Sequence, residues 1–244
     1  MTYENPYMNG QIWPELNILE ILRQRNPLVI CITNDVVRTF TANGLLAIGA
    51  SPVMSECSED LKDLIVHASA LLINIGTLTP DKVSYYKEAI ALAKKHEVPI
   101  VLDPVGCHAG AYRLSVVLDL IKTGAISLLR GNQSEIKAIY DALISNNEAY
   151  TSTTGKGVDG GQVEDSAVIV YRLARLINCP VVATGEEDYI SDGTRVFAVP
   201  HGHSIMTAVT GTGCLLGAVL AAFFSAYYPC KNRLSIGEFL AYAL

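Results

Sequence analysis

The stretch Thr210-Gly211-Thr212-Gly213-Cys214 has the residue types of an anion-binding turn that carries a thiol. Gly211 and Gly213 allow a tight backbone turn and the close approach of a ligand. An apolar run over residues 215–228 follows and predicts a buried helix, whose first turn has unpaired N–H groups and partial positive charge. At that position the Cys214 thiol is expected to shift toward the thiolate. The pattern predicts an anion site beside a reactive thiol, and a glycine-rich loop entering a core helix is the alternative.

Oxygen-bearing side chains follow two of the apolar runs that precede this turn. Asn132 and Glu135 are three residues apart at a predicted helix start and therefore share a face, and Asp103 ends an earlier run. Such a sparse set suits Mg²⁺, which keeps several waters and is usually bound through one or two carboxylates plus substrate phosphates. The alternative is purely local, with Asn132 as a helix cap and Glu135 as its capping-box partner.

Arg130 and Thr184 complete this set of polar residues. The planar guanidinium of Arg130 is suited to a phosphate group, and Thr184 with Gly185 could hydrogen-bond a nucleotide phosphate. A surface ion pair and an ordinary strand-to-loop turn are the alternatives for these two positions. Taken together, the anion turn, the carboxylates and the arginine indicate phosphate and magnesium chemistry.

Short apolar runs alternate with amphipathic stretches, and these elements have to position the polar residues. We predict strands at residues 28–32, 53–54, 70–75, 99–104, 126–129 and 180–184, and a hairpin over 189–199 that turns at Asp192-Gly193. We predict helices at residues 14–25, 36–48, 58–67, 79–96, 112–122, 133–143, 163–177 and 215–228. This alternation predicts an α/β fold in which helices cover both faces of a largely parallel sheet. We find no interior linker and no repeat, so we expect a single domain over residues 1–244.

Ligands of such sheets bind outside the carboxyl ends of the strands. The polar groups expected there are Thr33-Asn34-Asp35, Asn74-Gly76-Thr77, Asp103-Pro104-Gly106, Arg130-Gly131-Asn132 with Glu135, and Thr184-Gly185-Glu186. With Thr210 to Cys214 they would line one crevice. The first of these groups is also expected to cap the helix that starts at residue 36.

Composition excludes several classes of protein. Of the 244 residues, 50% are hydrophobic and 17% are charged, which is typical of a globular chain with a large core. The net charge of −6 offers no basic surface to a nucleic acid. The six cysteines form no C-x-x-C pair, and the first residues lack the pattern of a signal peptide, so we expect a cytoplasmic protein with reduced thiols. The longest apolar run is shorter than the roughly 20 residues of a membrane span, so no membrane partner is expected.

Two further segments match known motifs in part but lack the neighbouring residues or strand that those motifs require. Gly155 to Gly160 fits G-x-G-x-x-G but follows a polar loop, where a dinucleotide site needs a buried strand. The same segment is not a P-loop, because the first glycine is replaced by Tyr150 and no Ser or Thr follows Lys156. His201-Gly202-His203 resembles a metal pair, but no third ligand is evident, and a polar turn is the better interpretation.

The chain closely resembles the hydroxyethylthiazole kinase family of the ribokinase-like superfamily. The matching segments run in order through nearly the whole chain: Cys31-Ile32-Thr33-Asn34-Asp35, Gly49-Ala50-Ser51-Pro52-Val53-Met54, Asn74-Ile75-Gly76-Thr77, Asp103-Pro104-Val105-Gly106, Arg130-Gly131-Asn132 with Glu135, Gly155-Lys156-Gly157-Val158-Asp159, Thr184-Gly185-Glu186, and Thr210-Gly211-Thr212-Gly213-Cys214. The resemblance implies a ribokinase-like three-layer α/β/α fold. It also implies ATP-dependent phosphorylation of the primary alcohol of 4-methyl-5-(2-hydroxyethyl)thiazole, a step of thiamine salvage.

The resemblance further implies roles for individual residues. Met54 and Gly211, with Asn34 nearby, would contact the thiazole; Arg130, Thr184 and Asn132 would contact ATP; Asp103 and Glu135 would serve Mg²⁺; and Gly211, Thr212, Gly213 and Cys214 would form the catalytic anion hole. The family is typically a homotrimer with its sites between subunits.

Two departures from the wider pattern bear on the mechanism. Most ribokinase-like kinases have an aspartate where this chain has Cys214, whereas the thiazole kinase branch has cysteine. Family members usually continue beyond the point where this chain ends, at Ala241-Tyr242-Ala243-Leu244. The sequence therefore leaves open whether the domain is shortened at its carboxyl end.

Three other functions remain to be weighed against the thiazole kinase. One is a sister enzyme of the superfamily, a hydroxymethylpyrimidine kinase or an ATP-dependent dehydratase of hydrated nicotinamide nucleotides, against which Thr33-Asn34-Asp35 and Pro52-Val53-Met54 argue. The second is an inactive thiazole- or nucleotide-sensing binding protein. The third is a nucleotide-binding dehydrogenase, which the failed context of residues 155–160 disfavours.

Overall fold

An eight-stranded sheet forms the centre of the computed structural model, which describes residues 17–145, 166–227, 231 and 234–244. In chain order the strands are β1 Leu28–Ile32, β2 Ser51–Met54, β3 Ala70–Asn74, β4 Ile100–Asp103, β5 Leu128–Asn132, β6 Val181–Thr184, β7 Asp188–Ser191 and β8 Val196–Val199. Their spatial order is β2-β1-β3-β4-β5-β6-β7-β8. Pairing is parallel from β2 through β6 and antiparallel from β6 through β8. The predicted short strand at residues 53–54 and the predicted hairpin over 189–199 are thus confirmed, and the short strand forms one edge of the sheet.

Helices cover both faces of this sheet. In chain order they are α1 Ile18–Arg25, α2 Arg38–Ile48, α3 Ser58–Leu64, α4 Pro80–Lys95, α5 Ala111–Ile121, α6 Gln133–Ile144, α7 Ser166–Ile177, α8 Thr212–Tyr227 and α9 Ile236–Ala243, with 3-10 helices at Ile65–His67, Cys107–Ala109 and Ser204–Ala208. One buried cluster joins the sheet to α3 through α7, and a second joins its other face to α1, α2, α8 and α9. The result is the three-layer α/β/α arrangement that the sequence predicted.

Helix α8 lies close to the sheet because small residues face its neighbours. A Cβ built on Gly44 of α2 would overlap the side chain of Leu215. A Cβ built on Gly217 would lie 3.3 Å from Asp103 Oδ2 and 3.3 Å from Leu72 Cδ1. The first two turns of α8 are thereby held against the carboxyl ends of the central strands. Within the part of the chain that the structure describes, no helix has the length and apolar character of a membrane span.

Two predicted boundaries are wrong, and both errors lie beside the polar residues. Strand β5 runs from Leu128 to Asn132, not over 126–129, because the buried guanidinium of Arg130 finds partners on β4 and β6. Helix α2 begins at Arg38, and its N-cap residue Val37 makes no side-chain cap. Asn34 accepts a hydrogen bond from the Val36 N–H but directs its amide nitrogen into the sheet, so it does not cap α2 as predicted.

Candidate active site

A row of polar side chains crosses the carboxyl ends of five adjacent strands. Asn34 follows β1, Asn74 ends β3, Asp103 ends β4, Arg130 lies within β5, and Thr184 ends β6. In the parallel register Asn74 is paired with Asp103. The sheet alone therefore places these residues beside one another, although they are far apart in sequence.

Hydrogen bonds connect the members of this polar row. Asn34 Nδ2 donates to Asn74 Oδ1 at 2.9 Å, and Asn74 Nδ2 donates to Asp103 Oδ2 at 2.7 Å. The same carboxylate oxygen lies 3.5 Å from Arg130 Nη1, and Arg130 Nη2 donates to the Thr184 hydroxyl at 2.8 Å. The side chains of Asn34, Asn74, Asp103 and Arg130 are all buried, where such interactions are stronger than in water.

The glycine turn meets the polar row at Cys214. Gly211 has φ +92°, which other residues rarely adopt, and a Cβ on it would overlap Val37. Helix α8 begins at the next residue, Thr212, so Cys214 lies in its first turn as predicted. Asn34 Nδ2 donates to Cys214 Sγ at 3.2 Å. The first-turn N–H groups of α8, which have no acceptors within the helix, therefore lie beside both the thiol and the polar row.

The expected shift of Cys214 toward the thiolate is wrong in direction. Burial raises the pKa of the thiol above its ordinary value, and the negative charge of Asp103 adds to this effect. Hydrogen bonds from Asn74 and Asn34 and the charge of Arg130 lower the pKa, but they do not outweigh burial. The thiol is therefore mainly protonated at neutral pH. The sequence could not reveal this, because the depth of the first turn of α8 depends on tertiary packing.

The single positive charge of Arg130 acts on two buried carboxyl groups, those of Asp103 and Glu135, so it cannot balance both when they are ionised. Burial, to which the charge of Glu135 adds, raises the pKa of Asp103 to about 7 against the opposing charge of Arg130 and the hydrogen bond from Asn74. Burial likewise raises the pKa of Glu135. Asp103 Oδ1 is buried and has no hydrogen-bond partner. An unpartnered carboxylate oxygen in a site of excess negative charge fits a divalent cation.

Glu135 also has a structural role, which was the alternative considered for it. Its Oε2 accepts from the Asn132 N–H at 2.7 Å, and the Asn132 side chain accepts from the Glu135 N–H at 2.8 Å. This is a capping box at the start of α6. Glu135 Oε1 accepts in addition from the Gly106 N–H at 2.7 Å. Among the described residues, no three His, Cys, Asp or Glu side chains form a ready-made metal cage.

Three other predicted features are Met54, which lies at the same edge of the sheet, His203, which lies in a turn, and a glycine motif, which falls outside the described residues. Met54 ends β2 next to β1, half-buried and packed against the core cluster on the face of the sheet that α2 covers. His203 Nδ1 accepts from the Ile205 N–H and caps the 3-10 helix Ser204–Ala208, as expected of a polar turn. The motif at residues 155–160 lies outside the described residues.

Two residues without an individual role in the sequence-based prediction help to build the site. Asn74 joins Asn34 to Asp103 through hydrogen bonds on both sides. The sequence feature that could have indicated this role is a polar amide at the end of a fully buried apolar strand. Arg113 on α5 donates to the carbonyl oxygens of Ile75, Gly76 and Val105 and ties together the loops that follow β3 and β4. No local pattern marks Arg113, since its partners are backbone atoms.

Solved structures place the chain first in a broad class. It resembles a ribokinase-like superfamily protein from Enterococcus faecalis V583 with a TM-score of 0.57 at 15% identity, over 91% of this chain and 82% of that one. An adenosine kinase from Sinorhizobium meliloti gives a TM-score of 0.54 at 14% identity, over 98% and 80% of the two chains. The protein therefore has the ribokinase-like fold. The structure of the hydroxyethylthiazole kinase protein from Pyrococcus horikoshii OT3 is more similar, with a TM-score of 0.75, 34% identity and coverage of 93% and 89%.

Sequence comparisons define the family. The model of the hydroxyethylthiazole kinase family matches residues 19–243. A hydroxyethylthiazole kinase of Streptococcus agalactiae serotype Ia is 56% identical over 205 residues, which are 84% of this chain and 77% of that protein. A hydroxyethylthiazole kinase of Streptococcus suis is 51% identical over 84% of this chain and 75% of its own length. The chain belongs to the hydroxyethylthiazole kinase family.

Proposed function

We propose that this protein transfers the γ-phosphoryl group of ATP to the primary alcohol of 4-methyl-5-(2-hydroxyethyl)thiazole, a step of thiamine salvage. The observation that carries the proposal is the meeting of the Gly211 turn, Cys214 and the buried polar row at one edge of the sheet. That arrangement supplies phosphate-binding N–H groups beside a proton acceptor, in a chain of this family.

The transferring phosphoryl group would lie at the start of α8. The N–H groups of Gly211, Thr212 and Gly213 would stabilise its developing charge, and preorganised donors of this kind contribute several kcal/mol. The substrate hydroxyl would face Cys214. Because phosphoryl transfer has a loose transition state, the hydroxyl proton leaves late, and the thiolate form of Cys214, which the raised pKa makes a minor form at neutral pH, would accept it.

ATP would lie across the ends of β5 and β6. Arg130 is held in place by Asp103 and Thr184, so its planar guanidinium can pair with a phosphate without first losing much freedom. Asn132 lies opposite Thr184 in the register of these strands. The thiazole would bind on the other side of α8, where Met54, Asn34 and the Gly211 turn offer a partly apolar surface.

Mg²⁺ would be held by Asp103 and Glu135. When bound, the ion neutralises phosphate charge as the γ-phosphoryl group is transferred. Its proposed site rests on the unpartnered Asp103 Oδ1 and on the excess of buried negative charge. MgCl₂ should therefore raise the melting temperature of the wild-type protein more than that of Asp103→Asn. An equal response of the two proteins would contradict the metal site.

The proposed assembly is a homotrimer with sites between subunits. Exposed apolar side chains surround the glycine turn, namely Val36, Phe40, Ile205, Met206 and Val209. A patch of this kind beside an active site is suited to a second copy of the chain. Light scattering after size exclusion should give three times the 26.3 kDa of the chain, and a monomeric mass would contradict the assembly. We place the protein in the cytoplasm, where free thiols such as Cys57 persist.

A coupled ADP-release assay tests the proposed function. ATP, MgCl₂ and hydroxyethylthiazole are supplied together, and hydroxymethylpyrimidine and a reaction without acceptor serve as controls. We expect ADP release that depends on the thiazole. Release with the pyrimidine alone would assign the chain to the sister enzyme, and thiazole binding without turnover would indicate a binding protein.

A further inference from the structure

Two asparagines stand between the Asp103 carboxylate and the Cys214 thiol, and the inner one, Asn74, has no role in the proposed function. Asn74 is the last residue of β3, and its side chain is fully buried. Its amide nitrogen donates to Asp103, and its amide oxygen accepts from Asn34. A buried amide that is hydrogen-bonded at both ends is confined to one orientation.

Two backbone N–H groups fix the orientation of both asparagines. Gly76 N donates to Asn74 Oδ1 at 3.0 Å, and Val36 N donates to Asn34 Oδ1 at 3.1 Å. Because a backbone N–H can only donate, the amide oxygen of each side chain has to face it. The nitrogen of Asn34 therefore faces its two acceptors, Asn74 Oδ1 and Cys214 Sγ, and has one hydrogen for each.

The loop after β3 prevents Asn34 from moving away. A Cβ built on Gly76 would lie only 2.6 Å from Asn34 Cβ, so the backbone of Gly76 is packed directly against that side chain. Arg113 holds the same loop through the carbonyl oxygens of Ile75 at 2.9 Å and Gly76 at 2.8 Å. The position of Asn34 is therefore set from outside the cleft as well as by its own hydrogen bonds.

We propose that Asn74 is a positioning residue for phosphoryl transfer, which holds the Asn34 amide in the orientation that donates a hydrogen bond to the Cys214 sulfur. This inference rests on the role of Cys214 in the proposed function. With Asn34 as donor, the sulfur is an acceptor and its own proton points away from Asn34. The hydrogen bond stabilises the thiolate, which is the form of Cys214 that can take up the substrate proton.

The test measures the thiol directly and needs no substrate. Cys214 is alkylated with iodoacetamide at about pH 8, where a thiol is partly ionised, in a Cys57→Ser background with the modified site assigned by peptide mass mapping. Asn74→Leu removes the side-chain hydrogen bonds of Asn74 with Asp103, Asn34 and Gly76 at similar volume. We expect alkylation about tenfold slower and kcat about tenfold lower, with the KM for ATP unchanged. Asn74→Ser keeps a small polar side chain and should lower the alkylation rate and kcat in the same direction. This variant provides the test if the leucine variant does not fold.

A control and a double mutant separate positioning from a loss of stability. Ile75→Val trims a neighbouring buried side chain and should lower the melting temperature while leaving alkylation unchanged. In an Asn34→Ala background, Asn74→Leu should slow alkylation much less than it does in the wild-type background, because Asn74 acts chiefly by orienting Asn34 and only in part through its own hydrogen bond to the sulfur. Wild-type alkylation rates in both folded Asn74 variants, or additive effects in the double mutant, would overturn the inference. An absence of thiazole-dependent ADP release in the wild type would instead overturn the proposed function, whatever the alkylation rates.

Discussion

Gly213 in the first turn of α8 lies directly against the guanidinium of Arg130. A Cβ at Gly213 would be 3.2 Å from Arg130 Nη2 and 3.3 Å from Nη1. Arg130 has little room to yield, because Asp103 and Thr184 hold it from the other sides. The anion turn, through Gly213, is therefore in direct contact with Arg130, the residue proposed to bind ATP.

Gly213→Ala should weaken the binding of ATP more than it weakens the fold. The added methyl group displaces the guanidinium from Asp103 and Thr184 or tilts the first turn of α8, so we expect the KM for ATP to rise about fivefold to tenfold. Steady-state kinetics at saturating thiazole measure this change. Gly110→Ala is the matched control, because a Cβ at Gly110 has nothing within 4 Å, and its KM should equal that of the wild type. Equal KM values for the two variants would show that the Gly213 contact is irrelevant to ATP.

The sequence predicted the elements of the fold because most of them have local signals. Each buried strand is an apolar run, and the anion turn is marked by Gly211 and Gly213, so the parallel sheet and the glycine turn that opens α8 were predicted correctly, although the helix begins at Thr212 and not at residue 215. The end of β5 was predicted incorrectly, because a charged residue inside a buried strand is stable only when distant partners pair with it. Arg130 has such partners on β4 and β6.

The candidate site was predicted as a set of residues and not as a network. Strand ends showed which residues could meet, but the hydrogen bond from Asn34 to Cys214 joins positions 180 residues apart and has no local signature. The direction of the Cys214 pKa shift was wrong for the same reason, since burial depends on how α8 packs against the sheet. Asn74 was visible as a polar strand end, yet only its contacts on both sides indicate what it does.

Glu135→Gln should lower both stability and activity. Each Glu135 oxygen accepts a backbone hydrogen bond, and the amide nitrogen of glutamine cannot accept the one it would face. We expect the free energy of unfolding to fall by about 1–3 kcal/mol, measured by urea denaturation. Because Glu135 is also proposed to hold Mg²⁺, kcat should fall at least tenfold even well below the melting temperature.

A second capping box provides the comparison for Glu135. Glu238 forms the same reciprocal cap with Ser235 at the start of α9. Glu238→Gln should therefore lower stability while kcat stays within about twofold of the wild type, since a cap contributes only about 1 kcal/mol. If both variants lose activity equally, Glu135 acts through the cap alone and the proposed metal role is wrong.

The contribution of Asp103 to the stability of the metal-free protein should decrease as the pH rises from about 4 to about 7. The pKa of Asp103 is raised to about 7 in the folded chain, so the folded state holds a proton there that the unfolded state has already lost. The contribution is complete below the ordinary pKa of the carboxyl group and disappears as the pH passes about 7. Urea denaturation in EDTA should show that, between these pH values, the wild type loses stability relative to Asp103→Asn by an amount on the order of 1–3 kcal/mol. Identical pH profiles for the two proteins would contradict a neutral Asp103 in the folded chain.

Cys214→Ala should lower kcat without abolishing activity. Because the phosphoryl transition state is loose, the N–H groups of the anion turn and the held Arg130 retain most of the rate acceleration when the proton acceptor is lost. We expect kcat to fall about 10–100-fold at neutral pH.

The raised pKa of the Cys214 thiol adds a second expectation, namely that wild-type kcat rises with pH between about 7 and 9 and that the alanine variant lacks this rise. Cys57→Ala removes an exposed thiol and should retain both the rate and the pH profile of the wild type. If Cys214→Ala is folded but entirely inactive, removal of the substrate proton is a larger part of the barrier than a late proton transfer allows.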